Sequence, residues 1–164
     1  QIIWEVFSGL GAVVGLVTGG FVVWDRFFRF SPTAILFVRP LIPGGVHMGW
    51  ILRVSNRAER PILLSWQTGN RTGEFLLAAD DSMDAIVASM AEGRRTIAVD
   101  PGEVRELVVT LPTDFADIDP ENYVECRLFW RYAQPMIWKR ERYIDVRVPK
   151  RSLLDLDPDA SEAG

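Results

Sequence analysis

Residues 122–133 read NYVECRLFWRYA, and they alternate without a slip. Val124, Cys126, Leu128, Trp130 and Tyr132 fall on one side; Tyr123, Glu125, Arg127, Phe129 and Arg131 fall on the other. Side chains of an extended chain point to opposite faces with a period of two, so this stretch predicts a strand with one face in a core. A turn at Gln134-Pro135 leads into residues 137–148, whose end carries Ile144, Val146 and Val148 at the same period. The pair predicts a terminal hairpin.

Working back from that hairpin, short strands recur. Residues 103–111 place Leu107, Val109 and Leu111 on one face, and Asp100-Pro101-Gly102 marks the turn into them from residues 94–99. Before these, Asp81 or Ser82 can cap a helix over residues 83–91, with Met83, Ile86, Val87 and Met90 at helical spacing and Gly93 as its stop. Residues 74–78, 61–66 and 47–56 read as further strands, with Pro61 at a first position, where its missing N–H is tolerated. In residues 47–56, Met48, Trp50, Leu52 and Val54 face inward and Ile51 and Arg53 outward. Asn56 to Arg60 is a polar turn, and residues 34–39 are the first strand, closed by Pro40. Turn signals about every ten residues predict a two-sheet sandwich. Its nearest general class is immunoglobulin-like, with one short helix inserted and Trp130 as a candidate central tryptophan, though no cysteine pair surrounds it.

The remaining stretch is different in kind. Residues 6–24, VFSGLGAVVGLVTGGFVVW, hold no charge. As a helix they reach roughly 28 Å, close to the hydrocarbon thickness of a bilayer. Trp4 and Trp24 flank the run, and Arg26 and Arg29 follow it, all suited to a membrane interface. The expectation is a single N-terminal transmembrane helix. A buried core helix keeps a wider polar stripe, and a signal peptide has a basic leader and a small-residue cleavage site. Gly11, Gly15 and Gly19 are spaced by four on one helix face, which suits close packing of another helix. The two following arginines, against none before the span, predict that the C-terminal domain lies in the cytoplasm. The organisation expected is residues 1–30 as span and interfacial flank, 31–151 as sandwich, and 152–164 as a disordered acidic tail.

Charge supports this division. The chain carries a formal −4, yet setting aside Glu5 and the four acids of the tail leaves 17 acidic and 18 basic residues. The domain is therefore close to neutral, and with no binding motif a nucleic-acid partner is not expected. One cysteine excludes an intrachain disulfide and suits a reducing compartment.

Few residues suggest chemistry. His47 is the one histidine, no serine or cysteine sits in a nucleophile motif, and one Cys with one His cannot close a zinc site. Neither catalytic residues, nor a metal, nor a cofactor are expected. Between residues 127 and 151 there are eight basic and two acidic residues. Arg127 and Arg131, joined by Lys139, could form a face for anionic lipid or an acidic partner; ordinary cross-strand pairs involving Glu125 and Glu141 are the simpler account. The function expected is a non-enzymatic membrane accessory or scaffold subunit. Its partners would be membrane lipid and other transmembrane subunits, with bioenergetic complexes, photosynthetic or respiratory, as natural hosts. The alternatives are a tethered sensory or adaptor module that binds a protein or peptide through the sandwich, and a homo-oligomer held by the glycine face.

Overall fold

The fold was determined as a computed structural model, which describes residues 14–22, 31–40, 48–133 and 140–156. Residues 14–22 are helical (α1). They are followed by β1 (Thr33–Pro40), β2 (Met48–Ser55), β3 (Ile62–Thr68), β4 (Leu76–Ala78), α2 (Met83–Met90), β5 (Gly93–Val99), β6 (Val104–Thr110), β7 (Tyr123–Tyr132), β8 (Arg142–Pro149) and α3 (Lys150–Leu156). A 3-10 turn at Phe115–Asp117 lies between β6 and β7.

The strands form two four-stranded antiparallel sheets, ordered β1-β2-β6-β4 and β5-β3-β7-β8. The period-two pattern sets the register. In the first sheet Leu36, Leu52 and Leu107 lie side by side. In the second, Ile97, Leu64 and Trp130 do the same. These rows face each other, and Trp50, Val54, Ile62, Trp66, Val99, Val124 and Leu128 fill the space between them. Each large apolar side chain so buried contributes about 1.5–3 kcal/mol against exposure, so a one-residue slip would be costly. Trp66 is 1% exposed, and its indole Nε1 donates to the Leu77 carbonyl at 2.9 Å, tying β3 to β4 across the sandwich.

The connections sort into two ends. Arches at residues 56–61 and 100–103 join the sheets at the end where β1 begins. Residues 111–122, α3 and the β3–β4 connection lie at the far end. Asn56 holds the two arches together. Its Nδ2 donates to the carbonyls of Arg60, Val99 and Asp100 at 2.8, 3.0 and 3.1 Å, and its Oδ1 accepts from Ala58 N at 3.0 Å.

Several expectations need correcting. Gly93 does not stop the inserted helix: α2 ends at Met90, Ala91 is already extended, and Gly93 opens β5. The last-turn carbonyl of Ser89 accepts from Gly69 N at 2.8 Å, so no left-handed cap is required. The apolar stripe of α2 is also turned away from the core. Ser89 is buried and Ile86 half-buried, while Met83, Val87 and Met90 are exposed. Ile51 lies on the outer face of its sheet, as the alternation predicts, yet it is buried there (1% exposed). It aligns with Phe37, Val108 and Ala78 in a second apolar row on the outer side of the first sheet, against which α2 packs through β4. The acidic tail does not start at residue 152, because Leu153 enters the core and Lys150 is buried. The last strand begins at Arg142, with residues 137–139 outside the described set.

No helix among the described residues is long and apolar enough to cross a membrane. Of the span expected at residues 6–24, only 14–22 are described, and these are exposed on every side. Trp4, Gly11, Trp24, Arg26, Arg29, Lys139 and His47 lie outside the described residues.

Candidate interaction surfaces

The outer face of the second sheet is a ladder of charges. Because alternate residues of β7 and β8 point outward in register, Arg127 lies opposite Asp145 and Glu125 opposite Arg147. Arg127 Nε donates to Asp145 Oδ1 at 2.6 Å, and Arg147 Nε to Glu125 Oε2 at 2.5 Å. Arg94, reaching across from β5, pairs with Glu141 and donates to Ser65 Oγ. Aromatic rings brace these guanidinium groups: Tyr143 lies 4.6 Å from that of Arg127, and Phe129 lies 5.0 Å from that of Arg94. The hydrogen bond from Arg127 holds the Asp145 carboxyl below its usual range. The charge of Arg127 is thus matched within the sheet. Arg131, by contrast, is exposed beside Leu63 near the arch end.

The outer face of the first sheet carries a smaller cluster. Glu106 accepts from Arg39 at 2.7 Å and from Arg53 at 2.8 Å, and Arg53 also lies 4.6 Å from the centre of the Phe37 ring.

Between β3 and β7 the second sheet forks. Their pairing stops at Trp66 and Leu128, and below it Gly73 to Phe75 takes over against Glu125. The fork leaves a cleft of about 280 Å³ whose lining includes Trp66, Phe75, Cys126, Arg71 and Arg127. Cys126 at its floor is not poised for reaction. Burial first, then the nearby Glu74, Asp145 and Glu125 carboxylates, push its thiol up to about 12, so it stays neutral. Among the described residues no group of three His, Cys, Asp or Glu could hold a metal ion.

The glycine face is only partly in view. Gly15 and Gly19 lie on α1 with nothing within 4 Å of where a Cβ would stand. That face is open to an approaching neighbour in this chain's own fold. Sequence reasoning missed two features. Nothing in the composition of residues 56–60 separates Asn56 from an ordinary turn residue, although its position at a strand end was a usable signal. The outward rotation of α2 could not be read from spacing, because spacing gives a stripe but not the direction it faces.

No protein family matches the chain, and no curated protein does. Among solved structures, the crystal structure of a FixG-related protein from Vibrio parahaemolyticus is similar over 74% of this chain and 96% of its own, at 15% identity and a TM-score of 0.36. The fold described above rests on the strand pairings, not on that loose superposition.

Proposed function

We propose that this chain is a non-catalytic, single-pass membrane accessory or scaffold subunit. It docks the Gly11/Gly15/Gly19 face of its N-terminal helix against a neighbouring membrane helix and holds its sandwich against a larger assembly. The observation that carries this reading is the charge-free run of residues 6–24 with three glycines in register. The exposure of residues 14–22 and the open space beside Gly15 and Gly19 support it. The sandwich is read as a variant of the immunoglobulin arrangement. Strands β1, β2, β6 and β4 take the places of A, B, E and D, and Trp66 on the third strand, rather than Trp130 on β7, takes that of the core tryptophan. The chain departs from that plan by visiting β4 before β5.

A second reading, a tethered adaptor, is favoured by β5. This strand is paired along its whole length with β3 and has no strand on its other side among the described residues. Such an edge can accept an extended peptide.

Mass spectrometry of what co-purifies with the full chain in mild detergent tests both. Under the scaffold reading, Gly15→Leu removes a defined set of membrane subunits from the preparation. Retention of the full set by that variant refutes helix docking. Capture of the same partner by a chain beginning at Ser31 makes the sandwich the binding module instead. A mass that shows only copies of this chain supports the homo-oligomer.

A further inference from the structure

The topology brings to one end of the sandwich charged residues that are far apart in sequence. Thr33, where the chain arrives from α1, lies in register with Ser55 and Val104, next to both arches. Tyr132 lies beside Ile62 and Val99 at the same end. The exposed Arg57, Arg131 and Arg140 therefore share the end at which the helix connects. Segments 56–61, 100–103, 131–133 and 140–142 together hold five basic and four acidic residues. Glu103 pairs with Arg105 and Glu141 with Arg94, both outside these segments, while Arg142 of the basic set lies over the Trp130 ring, and Glu59 and Arg60 have partners too. The far end has the opposite balance. Segments 69–75, 111–122 and 150–156 hold six acidic and three basic residues. Lys150 there is buried against carbonyls, and Arg151 and Arg71 pair with Glu121 and Glu74.

We propose that the arch end of the sandwich rests on anionic lipid headgroups through Arg57, Arg131 and Arg140, with the acidic far end turned away from the bilayer. The inference rests on the membrane-anchored reading. Three physical terms fix the orientation. Residues 25–32 are all that separate the expected span from β1, and eight residues reach at most about 28 Å, so the arch end is the end tethered to the surface. Electrostatic attraction fades over about 8 Å at physiological ionic strength, so only the end nearest the bilayer feels it. Each arginine near an anionic surface favours contact, while the carboxylates of residues 111–122 oppose the inverted pose.

The test places the full chain in lipid nanodiscs of phosphatidylcholine alone, or with about one-third phosphatidylglycerol, and follows amide hydrogen exchange. The anionic discs are expected to slow exchange in segments 56–61 and 100–103 by about threefold or more and to leave segment 111–122 unchanged; about 0.5 M salt removes the difference. The triple variant Arg57→Glu, Arg131→Glu, Arg140→Glu loses the lipid effect, and the triple Arg→Lys variant keeps it, which separates loss of charge from loss of fold. Equal exchange in the two kinds of disc, or equal slowing at both ends, overturns this inference alone. A chain that does not enter the discs overturns the anchored reading and this inference with it.

Discussion

Asn56 is 1% exposed and sits where β2 leaves one sheet and β5 leaves the other, so its replacement should destabilise the domain more than any other arch substitution. The Nδ2 group has two protons for the three carbonyls of Arg60, Val99 and Asp100, and Oδ1 takes a third bond from Ala58 N. Counting three protons placed at about 1 kcal/mol each, Asn56→Ala costs about 3 kcal/mol, since the arches cannot readily rehydrate all the groups left behind. The backbone bonds from Asn56 N to Glu103 O and from Gly102 N to Asn56 O survive the change, so the loss belongs to the side chain. Asn56→Asp keeps the shape but turns an oxygen toward three carbonyl oxygens, and it should be worse than Ala. For a domain of this size about 3 kcal/mol corresponds to a drop in Tm of about 12 °C. Thermal unfolding followed by tryptophan fluorescence measures both variants beside the wild type. A loss below about 1 kcal/mol for Asn56→Ala, or an Asp variant more stable than the Ala variant, would refute the reasoning.

Three further expectations follow from other parts of the fold. Lys150 Nζ donates to the Ala116 and Ile118 carbonyls at 3.0 and 2.7 Å and lies 4.9 Å from the Phe115 ring, so Lys150→Met should cost about 2–3 kcal/mol and release α3; unchanged hydrogen-exchange protection in residues 150–156 would count against it. Gly69 has φ +106° and a built Cβ would stand 3.1 Å from the Glu92 backbone, whereas Gly102 at φ +74° faces open space. Gly69→Ala should therefore lower Tm clearly more than Gly102→Ala, which carries only the left-handed penalty of about 1 kcal/mol, and equal shifts would contradict this. The Cys126 thiol, raised to about 12, favours the fold fully below the ordinary thiol value and loses that contribution as pH climbs toward 12. At neutral pH an aromatic disulfide reagent should modify it only as fast as the domain opens, and modification at the rate of a free thiol would sink the assignment.

The two-sheet sandwich was legible in the sequence because its strands obey a period of two. The alternation of Val124 to Tyr132 became the alternation of β7, and the terminal hairpin formed as β7 and β8. The short helix was legible too, since Ser82 Oγ accepts from Ala85 N as an N-cap should. Local signals suffice where one stretch of chain contains its own pattern. They fail where a residue's role depends on segments distant in sequence. The basic run between residues 127 and 151 suggested ordinary cross-strand pairs with Glu125 and Glu141 but not their partners: Glu125 meets Arg147, Asp145 meets Arg127 and Glu141 meets Arg94 of β5, because cross-strand register is set by the whole core. Likewise the sequence determined that Met83, Val87 and Met90 lie on one side of a helix, but only packing decided that Ser89 would be the side turned inward. Asn56 reads as an ordinary polar turn residue until β5, some forty residues later, delivers the Val99 and Asp100 carbonyls to its amide. Periodicity is a property of neighbours along the chain. Partnership between arches, sheets and ends is a property of the chain's return upon itself, and so only the tertiary structure could decide it.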